Sequence, residues 1–385
     1  GFCIHISQAY GKKDYHLVNR GFFVASVLSL IVGTMISIVG SLAIRDFLIL
    51  MHTPGEILEQ SLDYIKVILL GFVITVLNNL FMSVLQSLGD SSTPFCALLV
   101  SSITNVGLDC VFVLILKWGV QGAAAATVLS QVFSFAICAA GLKRLKFVSI
   151  LDGSKSKNAR LTVRMLKTGM PVGIMSMVTA VGGMILQFFV NDLGASAVAA
   201  YAASTKIRSV IGEFSNALGM TFMTFVGQNY GAQKYDRIKA GVRMGVLLSI
   251  LIHIPLSAVE IFGGKRIASL MVTDPPVLEL CGQYLLIVGI FVFFLGFLMV
   301  FRNCIQGMGN TWIPMLSGGL EVFSRLIFGY WLGRHSFMGI AAAEASAWIS
   351  VSIMLGSSFF ILFRKVLRTQ MPENTTDTKN IRTVS

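Results

Sequence analysis

Long runs of apolar residues without a single charge recur along the whole chain, for example over residues 22–44, 71–88 and 118–142. A helix needs about 20 mainly apolar residues to cross the hydrocarbon core of a bilayer. Only helices and closed barrels satisfy their backbone hydrogen bonds there, and these runs are too long and continuous for barrel strands. The pattern therefore predicts an all-α polytopic membrane protein. Its ten complete candidate spans lie near residues 21–45, 62–87, 93–116, 120–141, 169–191, 209–227, 242–262, 280–301, 311–333 and 338–363.

Composition supports this prediction, since 55% of the 385 residues are hydrophobic and only 12% are charged. Soluble domains carry about 25% charged residues. The sequence contains no HExxH, GxxxxGK[ST] or GxSxG motif, so we expect neither an enzyme nor an ATP-driven pump. The six cysteines are scattered singly without CxxC spacing, which indicates packing residues, and no metal site or cofactor is predicted.

The net charge of +12 could suggest a nucleic-acid partner, but the positions of the charges favour a membrane. When alternate loops are assigned to opposite sides, most of the 30 Lys and Arg fall on one side. That side includes Arg302, the loops 143–167 and 234–243, and the C-terminal tail. Because cytoplasmic loops are enriched in Lys and Arg, we expect these loops and the C-terminus to be cytoplasmic, with no nucleic-acid partner.

The chain matches itself without gaps at an offset of 220 residues, the separation of Gln8 from Gln228. SQAYG recurs as GQNYG, and QSLGDSSTP recurs as QGMGNTWIP. The glycines Gly11 and Gly231 in the first pair predict tight turns that join helices. A match over more than a hundred residues indicates a duplicated helical bundle, an arrangement that transporters use to build a central site.

The offset also predicts the domain organisation. The second half begins its first span near Leu166, so the corresponding start of the first half would precede Gly1. We therefore expect a sequence that lacks the first span and part of the second, from a protein of twelve spans. The predicted regions are an N-terminal lobe (1–142), a basic cytoplasmic linker (143–168), a C-terminal lobe (169–364) and a polar cytoplasmic tail (365–385).

At this point the sequence resembles the multidrug and toxic compound extrusion (MATE) family. The motifs that carry the resemblance are SQAYGKKDYHLVNRG, TFVGQNYGAQKYDRIKAG, LQSLGDSSTP with TNVGLDCVFV, IQGMGNTWIP with LEVFSRLIFGYWLG, and GIAAAEASAWIS. The resemblance implies two repeated six-helix lobes that face each other in a V shape. It also implies a cation-coupled antiporter that exports organic, often cationic and amphipathic, compounds in exchange for sodium ions or protons. We expect membrane lipids and small organic cations as partners, a monomer, and a bacterial inner (plasma) membrane.

Asn105 and Asp109 are the first candidates for the cation site. They are four residues apart in one predicted span and share a helix face. A carboxylate beside an amide oxygen can hold a dehydrated sodium ion or a proton, and the resemblance implies a cation site at these two positions. The alternative is an interhelical hydrogen bond that only stabilises the lobe. Charges inside a membrane are costly, which makes each of them a candidate for function.

The second half offers three further candidates. Glu213 could be a proton or drug-cation site, or a carboxylate bonded to a neighbouring helix. Family members can carry an acid in the preceding span, but 172–190 contains none, and Thr179 lies in its middle. Glu321 and Arg325 have i,i+4 spacing, which predicts an ion pair that either fixes helix packing or breaks and reforms during transport.

Two other functions stay open at this stage. A flippase for lipid-linked oligosaccharides of the same superfamily would need several cationic side chains around a pyrophosphate, and only Lys206, Arg208 and Arg325 lie near the spans. A truncated membrane protein that does not transport is the second alternative.

Overall fold

The structure, a computed structural model, describes residues 1–50, 55–149, 152–153 and 158–370. The helices of these segments are α1 (Cys3–Gly11), α2 (Tyr15–Leu50), α3 (Gly55–Ser87), α4 (Ser92–Asp109), α5 (Gly119–Arg144), α6 (Ala159–Asn191), α7 (Ala195–Gly231), α8 (Tyr235–Ala258), α9 (Gly264–Ala268), α10 (Pro275–Gly307), α11 (Trp312–Phe328) and α12 (Phe337–Gln370). Three π-helical turns, Cys110–Ile115, Val259–Gly263 and Gly329–Gly333, follow α4, α8 and α11.

Eight helical segments of the described chain are long and apolar enough to cross a membrane. They contain eight of the ten predicted spans, so the prediction of an all-α membrane protein is confirmed. The other two predicted spans, 209–227 and 311–333, lie in α7 and in α11 with its π-helical turn. Large apolar side chains cover the outside of the helices: Leu42 is 79% exposed and Leu70 is 77% exposed. Such a surface needs lipid rather than water around it.

The chain divides into two compact units, here called unit N (Phe2–Lys167) and unit C (Thr168–Ser385). In unit N, α1, α2, α3 and α5 bury a cluster of apolar side chains that includes Phe22, Phe81 and Val84. Unit C has the larger core, which surrounds α10 and includes Tyr284 and Trp348. Each unit therefore has its own packed interior in which polar side chains can be shielded from water.

The repeat predicted from the sequence is reproduced in the geometry of the turns. Helices α3 and α10 both contain 33 residues, and their ends are offset by 220 positions. The chain turns through positive φ at Lys13 (60°) and Gln233 (59°), and at Gly89 (93°) and Gly309 (91°). The tight turns after the SQAYG and GQNYG motifs are thus present in both units. Neither Gly11 nor Gly231 supplies the left-handed conformation of these turns, because the residue with positive φ comes two positions later, at Lys13 and Gln233.

The structure also corrects two predicted boundaries. The linker was expected over 143–168, but α6 already begins at Ala159, so the last ten residues of that range are helical. The tail was expected from residue 365, but α12 continues to Gln370. In both places a helix extends into a charged segment, because Arg and Lys favour helices nearly as much as Leu does.

Candidate functional site

The sequence-predicted pair in unit N lies on the last turns of α4. Asp109 is the final residue of the α-helical part, and the π-helical turn Cys110–Ile115 follows it directly. The Asp109 Oδ1 atom is buried and has no hydrogen-bond partner in the described structure. A buried carboxylate oxygen without a partner is unfavourable unless a proton or a cation binds it. Asp109 therefore lies inside the helical span Ser92–Ile115 with one buried carboxylate oxygen that has no partner among the described residues.

Asn105 connects this site to the neighbouring helix α5. Its Nδ2 atom lies 3.5 Å from Thr127 Oγ1, the long limit for a hydrogen bond. The Thr127 hydroxyl itself donates to the carbonyl oxygen of Ala123 at 3.0 Å. One turn of α4 separates Asn105 from Asp109, so the carboxylate lies on the helix face that carries the amide in contact with Thr127. These three residues carry oxygen atoms that suit a sodium ion.

Thr127 is not among the residues predicted from the sequence, although its position in α5 carries a recognisable pattern. Thr127 and Gln131 are four residues apart in α5 and form a polar stripe in an otherwise apolar, alanine-rich helix. Gln131 Oε1 accepts a hydrogen bond of 2.7 Å from Asn78 Nδ2 on α3, and Asn78 is 2% exposed. Asn78 Oδ1 has no partner in the described structure. The spacing of polar residues inside an uncharged span is therefore the sequence pattern that indicates this stripe.

In unit C, Glu213 and the other two predicted residues have different environments. Glu213 lies on α7 with an exposed side chain. Glu321 is 4% exposed and Arg325 is 5% exposed. The predicted ion pair between them is present, with 2.9 Å between Arg325 Nη2 and Glu321 Oε1. The structure therefore does not bring Glu213 together with the other two residues into one buried site.

The pair Glu321–Arg325 belongs to a larger network of buried ion pairs that sequence reasoning missed. Arg302 Nη2 on α10 lies 3.0 Å from Glu321 Oε2. Arg325 also approaches Glu344 on α12, with 3.5 Å between Arg325 Nη2 and Glu344 Oε1. Arg208 on α7 completes the series through a 2.7 Å contact to Glu344. We call these five residues the ion-pair network.

Two of these positions correct the sequence analysis. Arg302 had been counted as a cytoplasmic charge, but it is 5% exposed and paired inside unit C. Arg208 had been treated as an isolated charge near a span, but it pairs with Glu344 and stacks over the Trp348 ring at 5.1 Å from the centroid. Ion pairs between residues that are distant in sequence leave no local pattern, which is why spacing rules did not find them.

The two units differ in chemistry despite their common helix order. An offset of 220 residues places Gly329 at the position that corresponds to Asp109; Asp109 directly precedes a π-helical turn, and Gly329 is the first residue of one. Thr179 on α6 takes part in the ion-pair network through its backbone, since its carbonyl oxygen accepts from Arg325 Nη1 at 3.4 Å. The duplication therefore preserved the backbone, while the buried charged groups diverged.

Comparison with known proteins agrees with these features. The family model described as MatE matches residues 1–111 and 171–331. The probable multidrug resistance protein YoeA of Bacillus subtilis is 26% identical over 89% of this chain and 78% of its own length. The probable multidrug resistance protein NorM of Thermotoga maritima is 23% identical over 94% of this chain and 79% of its own. An FAD transporter of Shewanella oneidensis is 26% identical over 73% of this chain and 64% of its own.

Solved structures show the same fold. A crystal structure of MATE in the bent conformation matches with a TM-score of 0.88 at 21% identity, over 96% of this chain and 83% of that one. An outward-facing multidrug resistance MATE family transporter of the MOP superfamily gives a TM-score of 0.88 over 95% of this chain and 83% of that one. The family match covers most of the chain, and the apolar helices make it an integral membrane protein. The chain therefore belongs to the MATE family of transporters.

Proposed function

We propose that this chain is an antiporter that exports organic, cationic and amphipathic compounds in exchange for sodium ions or protons. The observation that carries the proposal is the buried Asp109 Oδ1 atom, which has no hydrogen-bond partner in the described structure. Asn105 lies one turn away, and Thr127 stands opposite it on α5. A carboxylate oxygen that is buried without a partner is unfavourable unless a cation or a proton binds it, which supports a cation site at this position.

Relatives support the export of drugs. YoeA of Bacillus subtilis and NorM of Thermotoga maritima are both described as probable multidrug resistance proteins. In this chain the exposed carboxylate of Glu213 is a candidate contact for a cationic compound, because it is accessible and lies on a mostly apolar helix. We propose that the chain acts as a monomer, surrounded by lipid, in a bacterial plasma membrane with its C-terminus in the cytoplasm.

Coupling follows from a shared dependence on Asp109. A sodium ion or a proton neutralises its carboxylate, and an organic cation is attracted only while the carboxylate is charged. Binding of one ligand then lowers the affinity for the other by the same factor in each direction. The inward gradient of the small cation can thereby drive the export of the larger one.

The flippase alternative needs free cationic groups for a pyrophosphate. Two of the three candidate cations are paired: Arg208 contacts Glu344 at 2.7 Å, and Arg325 contacts Glu321 at 2.9 Å. Lys206 is exposed on α7. Because both arginines already contact carboxylates within unit C, they are less available to a pyrophosphate, and we prefer the antiporter to the flippase.

The test uses sealed vesicles that contain the chain and follows the efflux of a fluorescent cationic dye. A sodium gradient and a proton gradient are imposed in separate experiments. We expect efflux with one gradient and a loss of at least about tenfold in Asp109→Asn, since hydrogen bonds to charged groups contribute roughly 1.5–3 kcal/mol. Thr127→Val, which keeps the shape and removes the hydroxyl, should weaken the response by roughly 2–10-fold.

Asp236→Asn is the matched control, because this aspartate is exposed on the first turn of α8 in unit C. It should transport at the wild-type rate. Wild-type efflux from Asp109→Asn, or dye efflux that responds to neither gradient, would contradict the proposal. Efflux of an anionic dinucleotide such as FAD, with no efflux of the dye, would also contradict it and would identify a different substrate class.

A further inference from the structure

Another glutamate of unit C, Glu260, lies outside the ion-pair network and has an unusual environment. It is the second residue of the π-helical turn Val259–Gly263 and is 1% exposed. Neither of its carboxylate oxygens has a hydrogen-bond partner in the described structure. An ionised carboxylate buried in this way is unfavourable, whereas a protonated one is neutral. π-helical turns inside α-helices are frequent at functional sites.

Charged and titratable groups surround Glu260 from several helices. Arg208 on α7 and Glu344 on α12 lie within electrostatic range of its carboxylate. The same neighbourhood contains Tyr201 of α7 and Tyr284 of α10, both of which interact electrostatically with Arg208. Arg325 of α11 contacts Glu344 in turn. Along the chain, His253 precedes Glu260 on α8, and Lys265 and Arg266 follow it on α9.

The charge balance of this region depends on Glu260. The ion-pair network contains three arginines but only two glutamates. When Glu260 is ionised, its negative charge compensates the excess positive charge, but the carboxylate is left without a hydrogen bond. When Glu260 is protonated, the carboxyl group is neutral, but one positive charge in the network is uncompensated. Ionisation of Glu260 therefore compensates the positive charge, and protonation removes the cost of the unsatisfied carboxylate. The two states differ by one proton.

Arg208 is able to respond to this proton. One of its nitrogens, Nη2, contacts Glu344, but its buried Nε atom has no partner in the described structure. Glu344 does not depend on Arg208 alone, since it also accepts a hydrogen bond from the Tyr284 hydroxyl and lies 3.5 Å from Arg325. Arg208 can therefore turn toward an ionised Glu260 while Glu344 keeps two other partners.

We propose that Glu260 is a proton-binding group of unit C and that its ionisation moves Arg208 from Glu344 toward Glu260. A proton suits this position better than a metal ion does, because a proton needs a single carboxylate oxygen. The positive guanidinium of Arg208 would repel a metal cation at the same place. Gly289 on α10 makes the arrangement possible, since a Cβ atom there would lie 3.0 Å from Glu260 Cβ and 2.9 Å from Ile261 Cγ1.

The test measures protonation rather than transport, so it is independent of Asp109 and of the antiport proposal. Infrared difference spectra of the purified chain are recorded between alkaline and acidic buffers. We expect a carbonyl band of a protonated carboxyl group that grows on acidification and is absent in Glu260→Gln. Wild-type protein should also take up about one proton per chain more than Glu260→Gln does. Glu279→Gln is the control, because Glu279 is exposed and pairs with Lys265 outside the network.

Glu260→Asp, which keeps a carboxyl group at this position, provides a second test in case Glu260→Gln does not fold. In protein labelled with carbon-13 glutamate, the titrating band should show the isotope shift, and Glu260→Asp should remove that shift. The fluorescence of Trp348 should change together with the band, because Arg208 stacks on this ring and Trp348 is 1% exposed. A band that does not titrate, that persists in Glu260→Gln, or that titrates without a change in Trp348 fluorescence would overturn the proposal.

Discussion

Substitution of Glu321 by Gln tests whether the ion-pair network stabilises unit C. The carboxylate of Glu321 contacts Arg302 at 3.0 Å and Arg325 at 2.9 Å, and all three side chains are 5–6% exposed. Gln keeps the volume and removes the charge. Arg325 retains Glu344 at 3.5 Å, but Arg302 loses its one ion pair among the described residues. Removing one partner of a buried ion pair destabilises a protein by about 3–5 kcal/mol, because the other charge is left uncompensated.

The corresponding change in the unfolding temperature is large enough to measure. For a unit of this size, 1 kcal/mol shifts the midpoint by about 2–4 °C, so Glu321→Gln should lower it by roughly 6–20 °C. A thiol-reactive dye can follow unfolding in detergent, because Cys281 and Cys304 of unit C are buried and become reactive when the unit opens. The control is Glu279→Gln, whose pair with Lys265 is about 58% exposed, because solvent screens such a pair and its loss should leave the unfolding temperature almost unchanged.

A double variant distinguishes the effect of an uncompensated charge from the effect of a general packing defect. Arg302→Met combined with Glu321→Gln removes the uncompensated guanidinium and should regain most of the lost stability. If Glu321→Gln unfolds at the same temperature as Glu279→Gln, the network does not stabilise the unit. If the double variant is destabilised by the sum of the two single-variant effects, the two side chains are not coupled, and the reasoning is refuted.

Further predictions concern glycines in unit C and use the same unfolding measurement. Gly296→Ala should lower the free energy of unfolding by about 1–3 kcal/mol, because the added Cβ would lie 2.5 Å from His253 Cε1. At Gly183 an added Cβ meets nothing within 4 Å, so Gly183→Ala should stabilise α6 by roughly 0.5–1 kcal/mol. Gly309 has a φ of 91°, which a residue with a Cβ atom adopts only with strain, so Gly309→Ala should lower the free energy of unfolding by about 1–3 kcal/mol. Gln233 already has a left-handed φ of 59°, so Gln233→Gly should be neutral or stabilising by up to about 1 kcal/mol. A Gly296→Ala variant as stable as Gly183→Ala, or a destabilised Gln233→Gly, would contradict these assignments.

Local patterns predicted much of the fold and part of the candidate sites. The ten predicted spans all fall in helices of the described chain, because an apolar run of about 20 residues leaves the backbone no other solution in lipid. The i,i+4 rule also found the Glu321–Arg325 pair, since both residues lie on one face of α11. The role of Asp109 as a cation ligand stays a prediction, supported by its buried Oδ1 atom, which has no hydrogen-bond partner in the part of the chain that the structure describes.

Other features could not be predicted, because they join residues that are far apart in the sequence. Arg302 had the spacing of a loop charge, and only the packing of α10 against α11 shows that it pairs with Glu321. Arg208 and Glu344 are separated by more than a hundred residues and meet at 2.7 Å. Thr127 has an ordinary position in α5 until Asn105 of the neighbouring helix is placed beside it. Proximity of this kind is a property of helix packing and not of helical periodicity.

The sequence by itself determined the helical membrane class, the duplicated order of helices and the tight turns after each repeated motif. These features follow from hydrophobic run length and from residues that recur at one offset, both of which are local or periodic. The tertiary structure alone decided which charges are compensated. It paired Arg208, Arg302 and Arg325 with Glu321 and Glu344, and among the described residues it left Asp109 Oδ1 and the Glu260 carboxylate without partners. The physical reason is that desolvation and charge compensation depend on what lies across the helix interface, which no single helix encodes.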